Sequence, residues 1–285
     1  MRVFVVGGTG VLGRQLVRVL FERGHAVRVL ARSPRRAAEL LPRGVEVAAG
    51  DLLDSQLRLE PLLEGWEAVV HAATAIPSDP RAPGAWTTNV RLRTEGTRRL
   101  LEAARSTGTR RYLQQSIAFA YADGGDRELA ESAPLDPGEL RRDVREMEAL
   151  VRASPLEFCI LRGGMFVGPG TSQPALIERL RASAEVVPGE GRAWLPFVHP
   201  EDLALAFAVA LERAPAGSIY NAAADPLRQG DYLDRLAAAI RVSAPRRDPT
   251  RPAPPSTRVT SRALARALGW RPLRMLVPPW GTPIA

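Results

Sequence analysis

The 285-residue sequence contains no lysine, so all 39 basic residues are arginine. Arginine stays protonated and cannot shuttle a proton, so chemistry that needs a titrating amine side chain is excluded. The single cysteine, Cys159, sits in an apolar run and can form no internal disulfide, which makes a cytoplasmic location the expectation. No apolar run approaches membrane-spanning length, so no membrane partner is expected. The first strand pattern begins at residue two, so no signal peptide is expected ahead of it. The formal charge is +8, but the arginines are scattered over every helical segment. With no basic tail and no aromatic interleaving they read as a solvated surface, not a nucleic-acid face. Nothing in the pattern suggests a metal site.

What is present is concentrated at the start, MRVFVVGGTGVLG. Val3 to Val6 form an apolar run suited to a strand buried on both faces. Gly7, Gly8, Thr9 and Gly10 break it, and from Val11 the spacing turns helical, with Leu12, Leu16, Val19 and Leu20 on one face. Strand, glycine turn and helix together make a dinucleotide-binding loop. Gly7 permits the turn, Gly10 admits a pyrophosphate, and Gly13 lets the helix pack against the strand. The helix N-terminus presents free N–H groups to the phosphates.

Residues 25–31 predict a second strand, ended by Ala31 and Arg32 where an NAD-preferring site carries an acid. Arg32, Ser33 and Arg36 there suit a 2′-phosphate, so NADP(H) is expected over NAD(H), with NAD still admissible. Residues 45–49 predict a third strand, followed by Asp51 and Leu52 to flank an adenine; Asp51 also suits a cap for a helix over 55–63. Residues 68–73 predict a fourth strand, whose small end, Ala72, Ala73 and Thr74, allows close approach of a ribose. His71 reads as packing. A proline-rich loop covers 74–84, and a helix is expected over 86–106 with Asn89 in its first turns. Residues 111–115 predict a fifth strand, followed by Ser116 and Tyr121. A helix over 139–152 and a sixth strand over 157–161 come next. Strands alternating with helices predict an α/β, Rossmann-type doubly wound parallel sheet, with its ligand crevice at the strand carboxyl ends. The expected division is a dinucleotide-binding domain over 1–165, joined by about 197–222, and a smaller substrate lobe over 166–285. Residues 245–255 read as an extended connector.

These motifs, in this order, resemble the extended short-chain dehydrogenase/reductase family of nucleotide-sugar epimerases and dehydratases. The resemblance is carried by Gly7-Gly8-Thr9-Gly10 with Gly13, Gly50-Asp51-Leu52, His71-Ala72-Ala73, Asn89, Glu95-Gly96-Thr97, Leu161-Arg162 with Gly168-Pro169-Gly170, Phe197 to Asp202, Ile219-Tyr220-Asn221 and Ala267 to Trp270 with Pro272. It implies a nicotinamide cofactor contacted also by Gly163 and Met165, and a small-molecule substrate contacted by Phe166, Arg192 and Trp194. A homodimer is expected only through the resemblance. The family's chemistry uses a Ser or Thr after the fifth strand and a Tyr-x-x-x-Lys pair on the next helix. Aligned on Glu148, that pair falls on Leu140 and Val144, so the chain looks like an atypical branch, similar to reductase-like and cofactor-sensing members.

Three functions follow. A carbonyl reductase leads, because reduction needs only a proton donor, and Tyr121 with Ser116 is the candidate pair. An unassisted tyrosine is a poor base for oxidising an alcohol. The alternatives are a non-catalytic cofactor sensor or scaffold, and a nucleotide-sugar epimerase or dehydratase in which Arg192 would hold a diphosphate. His199 and Asp202 read as a helix entry joined to the lobe, with Pro200 at its first position.

Overall fold

The computed structural model describes residues 1–280. The apolar runs form β1 (Arg2–Val6), β2 (Ala26–Ala31), β3 (Glu46–Ala49), β4 (Ala68–His71), β5 (Arg111–Ile117), β6 (Glu157–Gly163) and β7 (Ser218–Ala222). They make one seven-stranded sheet in the order β7-β6-β5-β4-β1-β2-β3. The pairs β1–β2, β1–β4, β2–β3 and β4–β5 are parallel, and the fold is Rossmann-type. The chain runs outward from β1 in one direction through β2 and β3, then returns to β4 on its other side. The loops after β1 and β4 therefore leave side by side, with Val6 in register with both Leu30 and His71.

Helices α1 (Val11–Glu22), α2 (Pro34–Leu40) and α3 (Glu60–Leu63) connect the first strands. Leu12, Leu16, Val17 and Leu20 bury one face of α1, as the helical spacing requires. The helix expected over 55–63 is confined to its last turn. Pro61 has no N–H to offer Leu57, and the carbonyls of Asp54 and Leu57 are taken by the Arg99 guanidinium. The helix expected over 86–106 is three pieces: α4 (Thr87–Arg91), a π-helical turn over Leu92–Gly96, and α5 (Thr97–Ser106). In the π turn Arg93 Nη1 lies 2.8 Å from Asp143 Oδ2, a nearly buried ion pair. Asp143 belongs to α6 (Arg142–Ala153), which follows a short 3₁₀ turn over Glu139–Arg141.

The chain divides into two compact units. The first comprises residues 1–116, 138–161 and 204–219, and the second comprises 117–137, 162–203 and the chain from Tyr220 on. The core of the first unit is built from Phe4, Leu52, Leu63, Trp66, Val69, Leu100, Tyr112, Val151 and Ile160. The second unit holds α7 (Gln173–Arg181), most of its strands are only two or three residues long, and its core gathers Val167, Ile177, Val187, Phe197, Tyr232 and Leu236. Of the segment expected to be an extended connector, Arg246–Asp248 pairs in parallel with Val186–Pro188 and so belongs to this unit's structure. Helix α8 (Pro200–Arg213) begins at the expected proline. Asp202 at its start accepts from the Arg274 N–H at 2.9 Å, which ties the helix entry to the C-terminal segment. Helices α9 (Gln229–Ala239) and α10 (Arg262–Leu268) complete the fold. Among the described residues no helix is long and apolar enough to cross a membrane.

Candidate active site

Three of the four glycines in the loop, Gly7, Gly10 and Gly13, are there for different physical reasons. Gly7 has φ +88°, and a Cβ there would lie 2.5 Å from the Ala73 nitrogen. Only glycine tolerates both that backbone and that neighbour. At Gly13 a Cβ would stand 2.0 Å from the Gly7 carbonyl oxygen, so this glycine is needed for α1 to lie against the turn. At Gly10 a Cβ would meet only the Gly7 oxygen, at 3.3 Å. Gly10 is exposed, with that one oxygen as its near neighbour, which suits the approach of a phosphate. It is also the N-cap of α1, with no side chain to cap the helix and no acid in the first turn. Thr9 and Val11 beside it are half-buried, while Leu12 points into the core. The N–H groups and positive end of α1 are thus left for an anion.

The neighbouring loops complete the cradle within the first unit. Ala72 donates its N–H to the Val6 carbonyl at 2.9 Å, which holds the end of β4 against the glycine turn. Thr74 is exposed just beyond it. Asn89 is completely buried; its Oδ1 accepts from the Ala75 N–H at 3.0 Å, while its Nδ2 is a buried donor without a partner among the described residues. Asp51 closes its own turn, Oδ1 accepting from the Leu53 N–H at 3.0 Å, and Leu52 packs into the core. Ser33 caps α2 by accepting from the Arg36 N–H. Arg32 and Arg36 are exposed, and neither has an ion-pair partner among the described residues; Arg35 reaches Glu39 at 3.6 Å. An exposed glycine at a bare helix start, a buried asparagine donor and two exposed guanidinium groups fit a nicotinamide dinucleotide.

Ser116, at the end of β5, is 2 % exposed, and its Oγ donates to Glu148 Oε1 at 2.7 Å. Arg152 reaches the other carboxylate oxygen at 3.3 Å. Leu140 is 73 % exposed and Val144 fully buried, so neither position carries a polar group. Beside Ser116 in the same unit is a buried polar cluster that the sequence does not reveal. His71 Nδ1 lies 3.2 Å from Gln114 Oε1, 3.2 Å from Thr97 Oγ1 and 3.3 Å from the Tyr112 hydroxyl. Burial lowers the His71 pKa to about 4, so this histidine is neutral and structural.

In the second unit Tyr121 is 1 % exposed and packs with Ala118, Leu129, Ala223 and Val259. Its hydroxyl donates to Asn221 Oδ1 at 2.7 Å and accepts from Arg162 Nη1 at 2.7 Å. Arg162 is itself 1 % exposed, and also donates to the Glu131 carbonyl. Burial raises the Tyr121 pKa, and the adjacent guanidinium opposes that shift without prevailing. Tyr121 is therefore a protonated phenol at neutral pH. A charge in the apolar run ending Ile160-Leu161-Arg162 is the signal that could have exposed this network, because a buried guanidinium must have acceptors.

The remaining candidates also lie in the second unit. Gly163 abuts Leu203, where a Cβ would be 2.7 Å from Cδ2. Met165 is 39 % exposed and Phe166 half-buried, on the short strand paired with Phe197–Val198. The Arg228 and Arg258 guanidinium groups each lie 4.7 Å from the centre of the Trp194 ring, and Trp194 donates Nε1–H to Asp126 at 2.7 Å. Arg192 is exposed and lends its carbonyl to Arg228. Among the described residues no cluster of His, Cys, Asp and Glu is placed to hold a metal ion.

Comparison with known proteins extends these observations. A family model described as the NAD dependent epimerase/dehydratase family matches residues 3–223. The 3-diazoavenalumate denitrifying reductase of a Streptomyces species is 37 % identical, over 95 % of this chain and 96 % of its own length. The 2-alkyl-3-oxoalkanoate reductase of Stenotrophomonas maltophilia is 29 % identical over 87 % of this chain and 78 % of its own. Among solved structures, the UDP-glucose 4-epimerase of Thermus thermophilus, in complex with NAD, superposes with a TM-score of 0.78 at 24 % identity, covering 96 % of this chain and 95 % of that one.

Proposed function

The chain belongs to the NAD dependent epimerase/dehydratase family, and from that premise we propose that it is an NADP(H)-dependent reductase of a small organic molecule. The glycine turn, the start of α1 and Asn89 would hold the dinucleotide, and Arg32 and Arg36 its 2′-phosphate. When bound, the reduced nicotinamide supplies a hydride. What distinguishes this chain is how little proton chemistry surrounds that step. There is no lysine, Leu140 and Val144 stand where the family's tyrosine and lysine would be, and both candidate hydroxyls already donate to neighbours, Ser116 to Glu148 and Tyr121 to Asn221.

That observation carries the reading. It supports an acceptor whose reduction needs no proton from the protein. A cationic diazonium carbon is one such acceptor: it gains the hydride with both electrons, the carbon–nitrogen bond breaks with its electron pair leaving on nitrogen, and N₂ departs. The 37 % identical relative is named for a diazo substrate and for denitrifying reduction. Carbonyl reduction is the second reading, favoured by relatives named as ketone reductases. There the developing alkoxide must be protonated, and Tyr121, held in its acid form, is the donor once a substrate oxygen replaces Asn221 as its acceptor. Epimerisation or dehydration is disfavoured, since abstraction of a hydroxyl proton requires a base and neither Leu140 nor Val144 supplies one.

The test is NADPH oxidation against an arenediazonium salt and a panel of ketones and aldehydes, with the wild type and Tyr121→Phe. Diazonium turnover that survives the substitution supports the first reading. Ketone turnover that the substitution lowers by about 10²–10⁴-fold supports the second. Tight cofactor binding with no turnover on any acceptor supports the sensor alternative.

A further inference from the structure

We propose that Arg99 is a positioning residue that sets the adenine edge of the cofactor site, an inference that rests on the dinucleotide reading above. Arg99 lies on α5, and its side chain reaches the loop after β3 through backbone carbonyls, not through a side-chain ion pair. Its guanidinium instead gathers three backbone carbonyls of one loop: Leu52 and Asp54 through Nη1, the latter at 2.7 Å, and Leu57 through Nη2 at 2.6 Å.

That loop, residues 50–57, follows β3 and carries Asp51 and Leu52. It has no helix or strand of its own, and its internal support is slight: the Asp54 N–H on the Asp51 carbonyl, the Leu57 N–H on the Asp54 carbonyl, and two side-chain turns made by Asp51 and Asp54. Arg99 supplies donors to three carbonyls that would otherwise point at no N–H of a regular element. The planar fork suits this task, because its N–H groups diverge in fixed directions. The π turn ahead of α5 assists. Gly96 closes it, and a Cβ at that position would stand 2.7 Å from Leu52 Cδ2, so helix and loop are in direct contact. One helix therefore fixes both the height of Leu52 and the path of the backbone through Asp51.

The consequence is a division of labour that can be measured. The adenosine half of the cofactor should depend on Arg99 and the nicotinamide half should not. Calorimetry and ligand-observed NMR would follow NADPH, 2′,5′-ADP and reduced nicotinamide mononucleotide on the full chain and on Arg99→Met. We expect NADPH and 2′,5′-ADP to weaken by tenfold or more while the mononucleotide binds as before. Unchanged affinity for NADPH and 2′,5′-ADP, or equal loss for all three probes in a variant that keeps the wild-type circular dichroism spectrum, would overturn the proposal. Should Arg99→Met fail to fold, Arg99→Lys replaces it: the ammonium cannot span three carbonyls, so the same selective loss is expected, and none is expected if Arg99 is only a surface contact. If the wild type binds none of the three probes, the dinucleotide reading itself falls, an outcome distinct from a variant that leaves 2′,5′-ADP binding intact.

Discussion

Arg162 and Tyr121, forty-one positions apart, meet at 2.7 Å with the guanidinium donating to the phenol and its carbon 4.9 Å from the ring. The contact is buried, so its loss leaves donors and acceptors with no water to replace them. Tyr121→Phe is expected to lower stability by about 1–3 kcal/mol, because Asn221 loses its donor and Arg162 an acceptor. Urea unfolding followed by circular dichroism measures this. A variant as stable as the wild type would show that the network contributes nothing.

Arg32→Ala should reduce NADPH affinity by tenfold or more and leave NADH affinity nearly unchanged. A charge-assisted hydrogen bond is worth roughly 1.5–3 kcal/mol, and every 1.4 kcal/mol or so is a factor of ten. Arg36→Ala should act in the same direction. Parallel titrations of the two cofactors decide the matter, and equal weakening of both would place the 2′-phosphate elsewhere.

Two glycine substitutions should fail for opposite reasons. Gly10→Val adds bulk at an exposed position with one near neighbour, the Gly7 oxygen at 3.3 Å, so the fold should persist while dinucleotide binding is abolished. Gly13→Ala drives a methyl group to 2.0 Å from the Gly7 oxygen, so the turn or the helix must move and stability itself should fall. Thermal unfolding and cofactor titration of both variants separate the two effects. A stable Gly13→Ala protein would contradict the close packing of α1 on the turn.

The buried His71 predicts an acid limb in stability. Its pKa is lowered to about 4 by burial, against an ordinary value near 6.5 in the unfolded chain. Above the unfolded value its contribution is complete. As pH falls from there toward 4, the unfolded chain takes up a proton that the native state refuses, and stability drops by roughly 3 kcal/mol in all. The slope of unfolding free energy between pH 6.5 and 4 should flatten in His71→Gln, and an unchanged slope would mean that His71 protonates freely in the native state.

How legible these features were depends on what each residue answers to. Gly7 answers to a backbone conformation that favours glycine, Gly13 to the close approach of α1 and Gly10 to its exposed place at the helix start, and strand, turn and helix around them follow from apolar spacing. Arg32 was readable for a different reason, since it occupies a position where an acid is expected. Arg99 and Arg162 were not readable as partners of particular groups. Their acceptors lie 42 to 47 positions away for Arg99, and 31 and 41 away for Arg162, and a local pattern carries no information about such pairings. The same cause explains the helix misread over 55–63. Its composition suits a helix, but Arg99 takes two of the carbonyls the helix would need. Ser116 and Tyr121 stood out as hydroxyls, while their inward acceptors, Glu148 and Asn221, depend on tertiary packing.

The central claim is hydride transfer from a reduced nicotinamide to a small molecule, and isotope tracing tests it most directly. NADPH carrying deuterium at the nicotinamide C4, one stereoisomer at a time, would be incubated with the protein and each acceptor that supports its oxidation, and the product examined by mass spectrometry. Direct hydride transfer predicts one deuterium on the reduced carbon from one stereoisomer and none from the other. Product without deuterium from either, or no product while the dinucleotide binds, would contradict it.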